Sequence, residues 1–485
     1  MIAPAKRRLL FALLLLVPGL VPTLAPAQRM VFAHYMLTNQ DYQGDTDPTQ
    51  DLKIASYERE ILEAQAIGID GFALNAGGWF REPYYIRYAA QMFEAALRLH
   101  SGFKLFFSAD FCCGNTIDEA EDMMRRFAGN PRYADVYFRY KGGAVLSTFA
   151  GDKFGVAGWQ KIRSDLATGA NLSTHTASNA QDAVRGTPSN APLATFLVPA
   201  FFFGGETPGS DDVAKGVSQW KSTLDGVLYW GIAGVPASGG SLDTAASSRA
   251  YADALHKDGM LYMAPIALQF WGSNANRYYE YSGAAGMRAQ WMDAIERSHP
   301  EWVEIITWND FIEGTYISPI DDPNKYPNAS FLGSSGVPVG TRGYFHSHAG
   351  AAALLPYFIE WYKTGLRPEI KRDAVYYFYR TQPKDVDAGT PTMAHPYGPV
   401  KDVIYITANL TARAELRVTS SGQTRVLHLP AGSTDVETPF AAGGPPKFAL
   451  IRGGKVIATG SGVDSIEAAP KYNNFYYSTG VMTAR

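Results

Sequence analysis

Short apolar runs rich in β-branched and aromatic residues recur along most of the chain, with helix-patterned stretches between them. The runs are Val31–Tyr35, Gly71–Asn75, Phe103–Ser108, Ala144–Phe149, Ala194–Val198, Gly226–Trp230, Leu261–Pro265 and Glu301–Thr307, the last ending abruptly in Trp308-Asn309-Asp310. Such nearly continuous apolar runs suit strands covered on both faces, as in parallel sheets. Asp51–Ile67 places Leu52, Ala55, Ile61, Leu62 and Ala66 at helical spacing and stops at Gly68. Tyr84–Leu99, Ile117–Phe127 and a last stretch near Ala351–Tyr362 also read as helices. Eight strand–helix alternations over roughly 330 residues predict an α/β fold, a (β/α)8 TIM-type barrel spanning residues 28–384. A doubly wound sheet with extra strands is the other topology this pattern allows.

Beyond Lys384 the pattern changes. Residues 385–399 hold Gly389, Pro391, Pro396 and Pro399 and read as a linker. Residues 400–485 carry short alternating runs separated by turn signals such as Ser421-Gly422 and Gly453-Gly454, which predicts an all-β sandwich. At the other end, residues 1–27 have the three parts of a signal peptide. These are Lys6-Arg7-Arg8, the apolar stretch Leu9–Leu16 and the small-residue site Ala25-Pro26-Ala27. Export to a secreted or periplasmic location follows, with no membrane association once the signal is removed, because no later run reaches the roughly 18 apolar residues of a span. The formal net charge is -3 with no basic block, so nucleic acid is a poor partner. Aromatics make up 13% of residues, enough to offer flat faces to sugar rings as well as to fill a core. No internal repeat or low-complexity tract is found.

A barrel places its chemistry where strands end, at one mouth. Residues just past the predicted strands are His34, Asn75, Asp110, Trp230, Gln269, Trp271, Trp308, Asn309, Asp310 and Glu313. Carboxylates, amides and indoles in one place suit glycoside cleavage. That reaction needs one protonated carboxyl for the leaving oxygen and one ionised carboxylate to activate water or attack. The pair Asp310/Glu313, directly after an apolar strand, carries this reading. Asp110, Asp310 and Glu313 are the candidate catalytic residues, and His34, Asn75, Trp230, Gln269, Trp271, Trp308 and Asn309 the candidate substrate-binding ones. Each also has a structural explanation: Asp110 as a turn cap, His34 as a core histidine, Asn75 as a partner of loop backbone, the tryptophans as packing. His346-x-His348 and Asp321-Asp322 are weak metal signals, and no metal or cofactor is expected. The adjacent Cys112 and Cys113 are read either as a strained bridge or as free thiols. Asn171, Asn328 and Asn409 each open an Asn-x-Ser/Thr sequence.

Several stretches together have a familiar order: Val31-Phe32-Ala33-His34-Tyr35-Met36, Gly68–Asn75, Phe103–Asp110, Val303–Asp310 and Leu354–Phe358 leading into Tyr362-Lys363. The chain resembles glycoside hydrolase family 71, the secreted α-1,3-glucanases often called mutanases. The resemblance implies a (β/α)8 barrel with a β-sandwich behind it, cleaving α-1,3-glucan with inversion and without a metal. It carries the essential carboxylates onto Asp310 and Glu313, with Asp110 as a third. Where the family usually continues Trp-Asn-Asp with Tyr-Gly-Glu-Ser, this chain has Phe311-Ile312-Glu313-Gly314. The sequence Trp-Asn-Asp-x-x-Glu-Gly-Thr also resembles the Trp-Asn-Glu-x-x-Glu-Gly-Thr signature of family 99-type endo-mannosidases. The expected protein is a monomeric, endo-acting hydrolase whose partner is an α-glucan. A related glycosidase acting on another polysaccharide such as α-mannan, or a non-catalytic glycan-binding protein, fits the same residues.

Overall fold

Eight parallel strands, with the two-residue antiparallel strand Arg139–Tyr140 at one edge, form one sheet, and their order sets the first of the eight beside the last. They are β1 (Met30–Met36), β2 (Gly71–Ala76), β3 (Lys104–Asp110), β4 (Gly143–Phe149), β5 (Thr195–Leu197), β6 (Gly226–Leu228), β7 (Leu261–Ala267) and β8 (Trp302–Ile306). The order across the sheet is β6-β7-β8-β1-β2-β3-β4-β5. This computed structural model describes residues 29–38, 50–82, 84–170, 188–205, 207–231, 235–236, 242–243, 245–272, 277–320, 335–338, 341, 343–396 and 400–484. The signal-peptide reading, Asp321-Asp322, Asn171 and Asn328 lie outside these residues.

The sheet curls. Phe32 of β1 meets Phe106 of β3 at 4.9 Å and Trp302 of β8 at 5.7 Å, and Trp302 in turn meets Phe196 of β5 at 5.9 Å. Strands on opposite sides of the sheet order can share one aromatic cluster only if the sheet wraps around it. The two edge strands also approach each other: Asp225 N–H donates to the Leu197 carbonyl at 3.0 Å, Leu228 N–H to the Pro199 carbonyl at 3.0 Å, and Ala200 bridges Leu228. Two residues along from Phe32 and Trp302, on the same face, stand His34 and Glu304. The interior therefore turns from aromatic to polar toward the strands' C-terminal ends.

Helices cover the outer face: α1 (Gln50–Ala66), α2 (Tyr84–Leu99), α3 (Ile117–Met123), α4 (Gly155–Thr168), α5 (Ser210–Trp220), α6 (Ala246–Lys257), α7 (Ala284–Asp293) and α8 (Ala349–Thr364). α3 begins with a capping box in which Thr116 and Glu119 satisfy each other's backbone N–H. The sequence extends this helix to Phe127, but it widens into a π-turn over Met124–Ala128. A hairpin of Gln269–Gly272 and Arg277–Glu280 rises directly after β7.

The C-terminal part starts earlier than its composition suggests. β9 (Ala374–Arg380), placed by the sequence in the barrel segment, is hydrogen-bonded between β10 (Val403–Leu410) and β16 (Tyr477–Thr483). With β13 (Gly432–Pro439) they make a sheet ordered β13-β10-β9-β16. A second sheet runs β12 (Gln423–Leu429), β11 (Ala414–Ser420), β14 (Lys447–Arg452), β15 (Lys455–Ser461). The two share a core in which Val375, Tyr377, Ile404 and Ile406 meet Leu416, Val418, Phe448 and Leu450. In the predicted linker, the segment 387–391 is pinned, because Asn473 Nδ2 donates to Asp387 and to the Pro391 carbonyl, both at 2.7 Å. Asn409 sits in β10 at 4% exposure, which removes it as a glycan acceptor. At the junction with the first part, buried Arg380 reaches Glu280 at 3.2 Å and Asp402 at 2.9 Å.

Candidate active site

The segment after β8 makes a tight turn built around Asp310. Its N–H donates to Thr307 Oγ1 at 2.8 Å, and its Oδ1 accepts the Glu313 N–H at 3.0 Å. Asp310 is only 7% exposed. Burial raises its pKa above the ordinary carboxylate value. The N–H groups of Glu313 and Ile312 and the nearby His34 ring work against that rise, and the negative charge of Asp110 adds to it. Glu313, half-buried, stands on the same turn. Its backbone carbonyl accepts the Trp271 N–H at 2.7 Å. Gly314 takes φ +64°, and the ideal Cβ position there lies 2.6 Å from the Tyr476 ring, so only glycine fits.

Asp110 ends β3 and does two things. Oδ1 accepts the Cys113 N–H at 3.0 Å, which is the capping role, while Oδ2 accepts from Asn75 Nδ2 at 3.3 Å. The second contact brings β2 and β3 to the same mouth as Asp310. Cys112 and Cys113 are free thiols and exposed, so of the two readings the bridge is not formed. Partial desolvation of the sulfur at this turn and the Asp110 charge push the Cys113 thiol up to about 12.

His34 lies at the floor of this mouth, its Nδ1 2.7 Å from Glu304 Oε1, with Trp230 packed edge-on at 4.7 Å. Trp230 continues into Phe149 at 4.9 Å and Phe149 into Phe202 at 5.5 Å, giving one aromatic wall beside the carboxylates. Phe149 and Phe202 are half-buried. The sequence reading missed both, although Phe149 is the last residue of its strand. It also missed Glu304, whose signal is a carboxylate inside an apolar strand.

Four expected sugar contacts are placed elsewhere. Trp308 is fully buried, its Nε1–H donating to Glu60 at 3.2 Å behind the sheet. Trp271 is fully buried among Tyr476, Phe475 and Tyr344. Gln269 joins the Gly314 carbonyl, through Nε2, to the Tyr477 N–H, through Oε1, each at 3.0 Å. Asn309 clamps both backbone groups of Met36, at 2.8 and 3.1 Å. All four hold the turn in place from below or behind, so the strand-end rule located them but not the direction of their side chains. His346 and His348 are likewise absorbed: His346 contacts Thr381 and Asp464, and His348 faces the Tyr316 and Tyr477 carbonyls, with burial lowering its pKa to about 4. A cleft of about 1020 Å³ opens at the strands' N-terminal ends, bounded by Asp70, Lys104, Tyr140 and Lys363, far from these carboxylates. Barrel-like enzymes work at the opposite end.

Carboxylates converging on a polar floor beside an aromatic wall suit acid–base chemistry on a sugar. The relatives agree. A glucan endo-1,3-alpha-glucosidase of Schizosaccharomyces pombe is 28% identical, covering 98% of this chain and 99% of that one. A mutanase of Penicillium rubens is 26% identical, covering 97% and 95%. Among solved structures, a GH99 endo-alpha-mannosidase from Bacteroides thetaiotaomicron superposes with a TM-score of 0.46 at 11% identity, over 68% of this chain and 97% of that one. The family model of Glycosyl hydrolase family 71 matches residues 27–485, nearly the whole length. The chain is a glycoside hydrolase and belongs to that family.

Proposed function

We propose that this protein is an exported, monomeric, inverting hydrolase that cleaves α-1,3-glucosidic bonds inside glucan chains. One observation carries it: Asp310 and Glu313 stand on a single turn at the C-terminal end of β8, with Asp110 close enough to act on Asp310. The relatives' names supply the linkage, glucan endo-1,3-alpha-glucosidase and mutanase. In this reading the curled sheet is a closed (β/α)8 barrel, supported by the hydrogen bonds that join residues 197–200 to 225–228, and the C-terminal sheets form a β-sandwich behind it.

Asp310 acts as the base. It is held by two hydrogen bonds, and its raised pKa makes it a stronger proton acceptor than a surface carboxylate once ionised. It takes a proton from a water that attacks the anomeric carbon. Glu313, on the same turn, gives its proton to the departing glycosidic oxygen. Inversion calls for carboxyls about 6.5–9.5 Å apart, with the water between.

The test has two parts. Reducing-sugar release is measured on α-1,3-glucan, α-1,6-mannan and dextran, and the first-formed anomer is read by NMR. The reading expects release from α-1,3-glucan alone, with the β-anomer appearing first. Cleavage of mannan alone, or initial α-anomer, overturns it. An aryl glycoside with a good leaving group then separates the roles, since Glu313→Gln retains activity on it and Asp310→Asn does not. N-terminal sequencing of exported protein checks removal of residues 1–27, and size-exclusion chromatography checks the monomer.

A further inference from the structure

Two ionisable side chains stand inside the curled sheet, below the proposed acid and base. Glu304 stands between Val303 and Ile305 in β8, and His34 stands in β1; both are fully buried. A carboxylate in such a place is costly unless it is paired. Here the partner is His34 Nδ1, at 2.7 Å. Trp230 lies edge-on against the same ring at 4.7 Å and restricts its rotation. Among the described residues, His34 Nε2 has no hydrogen-bond partner. The His34 carbonyl accepts the Trp308 N–H at 2.7 Å, so β1 is tied at this residue to the segment that carries Asp310. The ring also acts electrostatically on Asp310, in the sense opposite to Asp110.

We propose that Glu304 is a positioning residue for the glycosidase reaction, locking the His34 ring so that Nε2 meets a hydroxyl of the sugar unit bound over Asp310. The inference rests on the glycosidase reading of this site. With Nδ1 held by Glu304, Nε2 is the ring atom left to hydrogen-bond a sugar hydroxyl, as a donor from a charged ring and as an acceptor from a neutral one. A buried nitrogen without a partner is otherwise a standing penalty, which a bound hydroxyl removes. The groups facing the ring are Glu304 from β8, Trp230 from the end of β6 and Asp310 from the catalytic turn; Asp110 of β3 faces Asp310 in turn. A carboxylate that orients an imidazole through its other nitrogen is a recurrent way to fix a tautomer and a ring plane.

The experiment compares Glu304→Gln, Glu304→Leu, His34→Gln and the double variant Glu304→Leu/His34→Gln. Each is measured for thermal stability, for kcat and KM on α-1,3-gluco-oligosaccharides, and for ring ¹⁵N shifts with and without oligosaccharide. Glu304→Gln, which keeps an acceptor oxygen for Nδ1–H, is expected to lose about 10-fold in kcat/KM, and Glu304→Leu about 100-fold. His34→Gln loses as much as Glu304→Leu, and the double variant loses no more than either single one. Oligosaccharide moves the His34 Nε2 signal in the wild type but not in Glu304→Leu. Losses that multiply in the double variant, or lowered stability with unchanged kcat/KM per folded molecule, overturn the proposal. If Glu304→Leu does not fold, Glu304→Gln and His34→Gln decide it by the same readouts. A wild type that hydrolyses no α-1,3-glucan overturns the parent reading instead, while the Nε2 shift still judges the His34 contact.

Discussion

Two turns at the mouth are built alike and used differently. Asp110-Phe111-Cys112-Cys113-Gly114 follows β3, and Asp310-Phe311-Ile312-Glu313-Gly314 follows β8. In each, the aspartate Oδ1 accepts the N–H three residues on, at 3.0 Å, and the phenylalanine is fully buried. Each glycine has positive φ, +91° and +64°. The fourth position holds a thiol in one turn and a carboxylate in the other, and the support behind them differs as well. Cys112, Cys113 and Gly114 are exposed, with Arg81 donating to the Cys113 carbonyl at 3.0 Å. The second turn is held from behind by Tyr476 Oη on the Phe311 carbonyl at 2.6 Å, by Gln269 on Gly314 and by the Trp271 N–H on Glu313. The same local design is supported in two ways: the long cationic side chains of Arg81 and Lys153 hold the Cys113 and Phe111 carbonyls of the first turn, each at 3.0 Å, whereas the fully buried Tyr476 and Gln269 hold the second. A reacting group must stay within a fraction of an ångström of its working position, which loops alone do not ensure.

Charge removal is the hardest test of that contrast. Asp310→Asn or Glu313→Gln is expected to cost at least about 10³-fold in kcat, with glycan binding kept. Asp110→Asn costs less, about 10- to 100-fold, and leaves a different signature. The Asp110 charge helps to hold the Asp310 pKa up, so removing it lowers that pKa. A base must be ionised, so activity falls as pH drops through its pKa. The acid limb of the kcat/KM profile should therefore move to lower pH in Asp110→Asn. A limb that moves upward, or equal losses from all three carboxylates, would erase the distinction between the two turns.

The glycines give the next largest difference. Gly314→Ala must take a left-handed conformation and also displace the Tyr476 ring, 2.6 Å from the new Cβ, so Glu313 shifts and kcat falls about 10-fold or more. Gly114→Ala meets only the flexible end of Arg81, at 3.1 Å, and should cost about 1–2 kcal/mol in stability with little change in kcat. Tyr476→Phe removes one hydrogen bond to the Phe311 carbonyl, about 1 kcal/mol, and is expected to lower kcat several-fold although it lies in the C-terminal part. Chemical denaturation and steady-state rates on the same preparations separate the two effects.

Strand positions were legible because burial on both faces leaves a continuous apolar run, and all eight strands of the first sheet were read within about two residues of their ends. β6 ends at Leu228, two residues before the predicted Trp230, and this leaves Trp230 free to turn toward His34. Side-chain direction was not legible. Trp230, Trp271 and Trp308 have the same chemistry and the same strand-end location, yet one lines the mouth and two are packing, since direction depends on the hairpin after β7 and on Glu60 behind β8. Tyr476 could not be found from its own neighbourhood, because its partner Phe311 lies 165 residues earlier. The likeness of the two turns spans five residues, too short to register as a repeat, and only the paired hydrogen bonds reveal it.

Behind the second turn lies a pH-sensitive support. Trp308, two residues before Asp310, donates its indole N–H to Glu60, which is fully buried in α1. Burial raises the Glu60 pKa to about 8, and the nearby Tyr35 hydroxyl and the Trp308 indole N–H only partly offset it. In the unfolded chain this group titrates near the ordinary value of about 4.3. The folded state thus favours the protonated form. The stability that Glu60 contributes is full below about pH 4 and is lost progressively as pH rises toward 8. Glu60→Gln keeps an acceptor for Trp308 and removes the titration, so its melting temperature should fall less than the wild type's between pH 5 and pH 8. Activity at pH 5 should change least of all the variants here, because the glutamine leaves the indole anchored and Asp310 in place. Parallel melting curves for the two proteins would show that the catalytic turn does not feel Glu60, and the asymmetry between the two turns would then lie wholly in Tyr476, Gln269 and Trp271.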